Sequence, residues 1–136
     1  MYLLDTNVIS ELRKPQADAN VVAWAKSVIA PRLFISVITL KELETGVLRM
    51  ERRDPAQGKV LRTWLKRHVM PAFDARILTV DAAVALRCAH LYVPDQANES
   101  DALIAATALV HGLTVVTRNV SDFKSSGVTV INPWDE

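Results

Sequence analysis

The stretch MYLLDTN, residues 1–7, decides the fold class, because an apolar run stops abruptly at three polar residues. Residues 1–4 predict a short buried strand, and Asp5, Thr6 and Asn7 predict a polar turn that leads into a helix. A carboxylate directly after a buried strand is costly unless donors or a cation satisfy it. The first candidate functional residue therefore lies at the end of the first predicted strand.

The rest of the chain alternates between predicted strands and helices. The further predicted strands are 33–36, 76–80, 113–117 and 128–131. The predicted helices cover residues 20–29, 39 to about 50, a segment after Pro55 that forms a hairpin with the preceding helix, 81 to about 91, and 101–111. Because parallel neighbours require crossover connections, this alternation predicts an α/β fold with a parallel sheet and helices on both faces. Ligands bind such sheets beyond the carboxyl ends of the strands, where the strand order reverses.

Composition and charge narrow the possible function classes. The 136 residues, half of them hydrophobic, suffice for one core, and we expect a single domain over residues 1–136. A net charge of +1 leaves any nucleic-acid binding to a local basic surface. Cys88 is the only cysteine, which excludes an internal disulfide and a thiolate metal cluster and favours a reducing cytoplasm. Because Asp5 interrupts the apolar N-terminus so early, we expect no secretory leader. The most apolar run of the chain, residues 102–110, is too short for a membrane-spanning helix, so we expect no membrane span.

Two of the candidate acids have ordinary structural interpretations. Asp5 serves equally well as the N-cap of the following helix. The pattern Thr39-x-x-Glu42 matches a capping box, which by itself explains Glu42. Gly46 lies on the same helix face, however, and leaves open space beside Glu42 where a ligand fits.

The later candidates are equally ambiguous when taken singly. Asp101 begins a helix whose small residues Ala105 and Ala108 permit close approach to the sheet, yet first-turn acids are ordinary partners of the helix dipole. Asn119 and Asp122 lie in a turn-like segment, where both residue types are common.

The convergence of these acids favours a catalytic role over the separate structural roles. Each one starts a helix or follows a strand, so their side chains can gather at one edge of the sheet, where like charges need a counter-cation. Carboxylates suit Mg²⁺ or Mn²⁺, and the absence of a cysteine or paired-histidine motif argues against zinc. Such an ion orients a phosphodiester and neutralises charge on its oxygens, so the favoured reaction is phosphodiester hydrolysis.

Four motifs in series resemble a PIN domain over nearly the whole chain. They are Leu-Leu-Asp5-Thr6-Asn7, Thr39-x-x-Glu42, Asp101-x-x-Ile104-Ala105-Ala106 and Thr117-Arg118-Asn119-x-x-Asp122-Phe123. Within that family the chain is most similar to the VapC and FitB type ribonuclease toxins of bacterial type II toxin–antitoxin systems. The resemblance implies a three-layer α/β/α sandwich with a central, mainly parallel sheet.

The resemblance also implies a catalytic Mg²⁺ or Mn²⁺ site made by Asp5, Glu42, Asp101 and a fourth acid. Some members place that acid where this chain has Asn119 and others where it has Asp122; we favour Asp122. The supporting residues would be Thr6, Asn7, Thr117 and Asn119. The implied partners are an RNA substrate, a second copy of the chain in a homodimer, and a cognate antitoxin, through which a larger assembly contacts operator DNA.

A basic stretch in the middle of the chain offers a surface for the RNA backbone. The candidate contacts are Arg49, Arg52, Arg53, Lys59, Arg62, Lys66 and Arg67. The ordinary interpretation is a solvated helical hairpin, which is at least as good for any single side chain.

The sequence is compatible with two other functions. A phosphotransferase or receiver-like domain also binds Mg²⁺ through an acid after its first strand, but residues 5–7 lack the second acid of an Asp-x-Asp motif and no lysine closes the predicted strand 113–117. A catalytically silent module that binds RNA or an antitoxin is the non-enzymatic alternative.

Overall fold

A computed structural model describes residues 1–135 of the chain. Within those residues five strands form one sheet in the order β3-β2-β1-β4-β5, and every neighbouring pair is parallel. The strands are β1 Tyr2–Leu4, β2 Leu33–Ser36, β3 Ile77–Leu78, β4 Thr114–Val116 and β5 Val130–Ile131. The strand order reverses at β1, so the crevice between the ends of β1 and β4 is the switch point of the sheet.

Helices cover both faces of the sheet. They are α1 Thr6–Arg13, α2 Ala19–Lys26, α3 Val37–Arg53, α4 Pro55–Trp64, α5 Met70–Ala72, α6 Ala82–His90 and α7 Glu99–His111. A π-helical turn, Leu65–Val69, joins α4 to α5, and short 3₁₀ turns lie at Ala30–Arg32, Val120–Ser126 and Pro133–Asp135. No helix in residues 1–135 combines the length and the apolar character that crossing a membrane requires.

Adjacent leucines of β1 show how the layers are built. Successive side chains of a strand point to opposite faces. Leu4 packs on one face in a core cluster that includes Val8 of α1, whereas Leu3 packs on the other with Ile104 and Ala108 of α7. The expected α/β/α sandwich with a parallel sheet is therefore confirmed.

The predicted start of the third helix is wrong. Helix α3 begins at Val37, and its N-cap is Ser36, whose hydroxyl accepts a hydrogen bond from the Ile38 N–H at 2.8 Å. Thr39 lies inside the helix and is fully buried, so it does not form a capping box with Glu42. Ser36 takes the cap because it is the last residue of β2, where the backbone is still extended.

Other boundaries shift by similar amounts. Helix α7 begins at Glu99, two residues earlier than predicted, because Asn98 caps it and accepts from the Asp101 N–H. Gly112, in a left-handed conformation, ends that helix as expected. The last two strands, like the predicted strand 76–80, are shorter than their apolar runs.

Helices α3 and α4 form the predicted hairpin. Asp54 caps α4 and Pro55 occupies its first turn. A Cβ atom at Gly58 would lie 2.4 Å from the Cα of Glu51, so the two helices approach each other too closely for any side chain at that point. The absence of a side chain at Gly58 therefore sets the distance between them.

We expect Gly58→Ala to lower the free energy of unfolding by about 1–3 kcal/mol, because the added methyl overlaps backbone that cannot move freely. Chemical denaturation measures this change. Gly46→Ala is the matched control: a Cβ there meets no atom within 4 Å, so alanine should stabilise the same hairpin by about 0.5–1 kcal/mol. Equal effects at the two glycines would contradict the close approach at Gly58.

Candidate active site

Asp5 lies at the carboxyl end of β1, beside the switch point, and only 7% of it is exposed. Its Oδ1 accepts a hydrogen bond from the Thr6 N–H at 2.8 Å, which caps α1. Its Oδ2 accepts from the Thr117 hydroxyl at 2.8 Å and from the Asn7 amide at 3.4 Å. Asp5 thus caps a helix and also presents a carboxylate at the crevice between β1 and β4.

The segment after β4 is tied to the start of α1. The Asn7 side chain donates to Thr117 Oγ1 at 3.2 Å and accepts from the Arg118 N–H at 3.3 Å. The Asn119 N–H also donates to Thr117 Oγ1, at 3.0 Å. The predicted supporting residues Asn7, Thr117 and Asn119 therefore form one hydrogen-bond network with Asp5.

Thr6 connects Asp5 to Glu42. Its hydroxyl donates to Glu42 Oε1 at 2.6 Å, and it lies 3.3 Å from the hydroxyl of Thr39. Because α3 begins at Val37, Glu42 lies beyond the first turn and is directed toward α1 rather than toward its own N-terminus. The structure thus removes the ordinary capping interpretation of Glu42.

Asp101 and Asp122 face each other across a small space. Asp101 is in the first turn of α7, and Asp122 is in the 3₁₀ turn that the fully buried Phe123 anchors. Both residues line a space of about 30 Å³. One water molecule needs roughly 10–15 Å³, so this space holds about two water molecules.

The electrostatics join the four acids into one anionic centre. Burial, together with the charges of Asp122, Asp5 and Glu42, raises the pKa of Asp101 to about 6. Burial also raises the pKa of Asp5, against the hydrogen bonds from Thr117 and Thr6 that lower it; Glu42 and Asp122 add to the rise. Asp122 therefore acts electrostatically on both Asp5 and Asp101.

The residues present fit a hard divalent cation. In the described part of the chain, no three acidic, histidine or cysteine side chains are already grouped closely enough to surround one ion. Mg²⁺, however, keeps several of its waters and binds through one or two carboxylates. The repulsion among the acids and the space between Asp101 and Asp122 suit such a hydrated ion.

The structure changes the list of basic candidates. Six of the seven candidates are exposed: Arg49, Arg52, Arg53, Lys59, Lys66 and Arg67. Arg62 instead forms ion pairs with Glu44 at 2.6 Å and with Glu51 at 3.1 Å, across the α3–α4 hairpin. Two carboxylates already engage its guanidinium, so Arg62 is less available to an RNA phosphate than the six exposed residues, and its role as an RNA contact stays a prediction.

One part of the site escaped the sequence analysis. A cleft between α1, α3 and α4 opens beside Thr6 and Glu42, and Arg13 and Trp64 line it. Arg13 lies beyond the polar turn that drew attention to residues 5–7, and Trp64 is typical of an apolar helix face. Their separation of about fifty residues gave no signal that they meet.

Comparison with known proteins places these features in context. A model of the PIN domain matches residues 2–125. A VapC ribonuclease, Y4jK from Sinorhizobium fredii, is 37% identical over 142 residues, which cover 99% of each chain.

Solved structures agree with this similarity. The crystal structure of FitAcB from Neisseria gonorrhoeae contains a chain that is 39% identical, with a TM-score of 0.93 and complete coverage of both chains. A toxin–antitoxin complex from Klebsiella pneumoniae contains a chain that is 25% identical, with a TM-score of 0.70 and 98% coverage of each chain. The similarity therefore extends over the sheet and both helical layers.

We expect Asp101→Asn to raise the free energy of unfolding in EDTA at pH 7.5, because it removes one of several mutually repelling charges. Since the side chain is partly exposed, the gain should be about 1 kcal/mol. Thermal unfolding measures it, and adding MgCl₂ should stabilise the wild type more than the variant. Asp81→Asn, which retains a helix cap away from the acids, is the control.

The pH dependence follows from the same shift. Folded Asp101 binds its proton more tightly than the unfolded chain does, so the stability from this group rises as the pH falls from above 6 toward 3.8. In EDTA this rise should be present in the wild type and reduced in Asp101→Asn. Identical pH profiles for the two proteins would contradict the anionic centre.

Proposed function

The chain belongs to the PIN domain family, and from that premise we propose that it is a metal-dependent endoribonuclease and the toxin of a type II toxin–antitoxin system. The observation that carries the proposal is the electrostatic coupling of four acids at the carboxyl edge of the sheet: Glu42 and Asp122 raise the pKa of both Asp5 and Asp101. The family model and the related VapC ribonuclease support RNA as the substrate.

The four acids would hold Mg²⁺, or Mn²⁺ in its place. When bound, that ion supplies a nucleophilic water and neutralises charge on the phosphoryl oxygens. The protein's own contribution is positional: Thr117, Asn7 and the Thr6 N–H hold the Asp5 carboxylate in one orientation, and the Thr6 hydroxyl holds Glu42. Preorganised groups of this kind lower the cost of reorganisation during the reaction.

The exposed cations of the hairpin provide a path for the RNA backbone. Arg49 lies two turns after Glu42 on α3, so it is on the same side of the helix, roughly 10 Å further along the axis. Arg52 and Arg53 extend the positive surface to the end of α3, and Lys59 and Lys66 continue it along α4 and the π-helical turn. These side chains favour contact with phosphates, which positions RNA without selecting its sequence.

We also propose that an antitoxin partner holds the enzyme inactive and that the chain forms a homodimer. The similarity to a chain in a toxin–antitoxin complex supports the antitoxin, which would also make any contact with operator DNA. An aspartyl-phosphate function has no comparable support, since the family model that matches the chain is that of the PIN domain.

We expect the purified protein to cut a mixed pool of single-stranded RNA in MgCl₂ and to leave it intact in EDTA. Asp5→Asn and Asp101→Asn should each lower the rate by about 100-fold or more, because both remove a carboxylate from the anionic centre. Mapping of the cut ends measures this. Asparagine caps a helix as well as aspartate does, so lost capping does not explain a loss at Asp5, and Asp81→Asn serves as the matched control.

Full cutting by Asp5→Asn would overturn the assigned mechanism. Binding of RNA without cuts, in either buffer, would favour the silent binding module instead.

The fourth ligand position has its own test. We expect Asp122→Asn to reduce the cleavage rate by at least about tenfold, because its charge acts on both Asp5 and Asp101. Asn119→Ala should have a smaller effect, since the Asn119 contact with Thr117 is made by the backbone N–H, which alanine keeps. Cleavage rates measured for both variants at saturating Mg²⁺ compare the two positions directly. A larger loss of rate in Asn119→Ala than in Asp122→Asn would assign the fourth position to Asn119.

A further inference from the structure

The cleft between α1, α3 and α4 is continuous with the anionic centre. It has a volume of about 150 Å³, roughly ten times the 10–15 Å³ that one water molecule needs. Thr6 and Glu42 line the cleft, and the same two residues also border the anionic centre. The remaining lining residues are Ser10, Arg13, Leu43, Gly46, Val47, Leu61 and Trp64. A group bound in the cleft therefore lies directly beside Glu42.

Arg13 is the only cationic residue among those that line the cleft. Its guanidinium carbon lies 5.8 Å from the centroid of the Trp64 ring. Stacking on an aromatic face orients the guanidinium plane and leaves its N–H groups free to donate at the edge. In the described part of the chain Arg13 takes part in no ion pair, in contrast to Arg62. Arg13 is thus a preoriented cation without an acidic partner.

The acids themselves create a need for this cation. An RNA phosphate that approaches Asp5 and Glu42 carries the same sign of charge as they do, so its flanking phosphates are repelled. A fixed guanidinium in the adjoining wall offsets that repulsion and binds a phosphate in a defined orientation. The position of Arg13 meets this requirement.

Gly46 supplies an independent observation. A glycine inside a helix destabilises it relative to alanine, yet a Cβ at Gly46 would touch nothing within 4 Å. Protein packing therefore does not require glycine there. What glycine does provide is an open wall in the cleft, one turn after Glu42.

We propose that this cleft binds the RNA nucleotide next to the bond that is cut, with Arg13 donating hydrogen bonds to the phosphate of that nucleotide. The proposal rests on the ribonuclease function proposed above and adds a substrate-binding residue to it. Its occupant is a single-stranded RNA segment, since bases of a duplex are stacked and unavailable to a side cleft.

The test measures binding of a fluorescein-labelled single-stranded RNA of mixed sequence, in MgCl₂ and in the Asp5→Asn background so that the RNA stays intact. We expect Arg13→Ala to weaken binding about 10- to 100-fold and Arg13→Lys to restore part of the loss. The slope of log Kd against log salt should fall by about 0.7 in Arg13→Ala, because one phosphate contact is lost. A purely structural role would leave that slope unchanged.

Arg32→Ala is the matched control. Arg32 also stacks on an aromatic ring, with its guanidinium carbon 5.6 Å from the Tyr2 centroid, but it precedes β2 and so lies at the opposite edge of the sheet from the acids. Its removal should change RNA affinity less than twofold. Gly46→Leu, which fills the cleft without altering charge, should weaken binding with an unchanged salt slope.

Equal affinities for Arg13→Ala and Arg32→Ala would overturn the proposal, as would unweakened binding by Gly46→Leu. Thermal unfolding of each variant identifies any that fail to fold, and Arg13→Lys then provides the comparison. The proposed ribonuclease function is judged separately, by whether the protein with Asp5 intact cuts RNA, so the two failures are distinguishable.

Discussion

The hydrogen bond from the Thr117 hydroxyl to Asp5 Oδ2 joins the ends of the two strands between which the sheet order reverses. Asp5 is almost fully buried, and an unpartnered carboxylate in that position would be costly. Donors from Thr117, directly after β4, and from α1 offset this cost and also fix the start of α1. Thr6, the first residue of that helix, then positions Glu42, so the geometry of the acidic edge depends on the β1–β4 crevice.

The sequence predicted those features of the fold that have strong local signals. The strand Leu33–Ser36 and the helix after Asp81 agree with the structure because an apolar run or a cap marks each of them. The start of α3 was predicted wrongly because Ser36 and Thr39 are both good caps. Which of them acts depends on where β2 ends, and Ser36 remains paired with Leu78 of β3. That pairing is a tertiary contact that the local pattern does not contain.

In the site, too, the features with local signals were predicted and those that depend on tertiary contacts were not. The acids were predicted because each follows a strand or lies near a helix start, and parallel strands bring such positions to one edge. The ion pairs of Arg62 were not predicted, because Glu51 and Glu44 are 11 and 18 residues away from it and lie on another helix. The contact of Arg13 with Trp64 likewise depends on how the tertiary fold places α1 and α4, which both line the cleft. Local sequence thus indicates which groups carry the chemistry, whereas helix packing determines which cations stay available.

The close approach at Gly58 has a consequence for substrate choice. Since the backbones of α3 and α4 lie too close to admit a side chain there, the interval between cations on the two helices, such as Arg49 and Lys59, is set by rigid backbone rather than by a mobile loop. A fixed interval between positive charges discriminates among RNAs by the spacing and curvature of their phosphates, whatever their bases. Under the proposed function, a glycine that touches no nucleic acid would help to determine which RNA shapes the protein accepts.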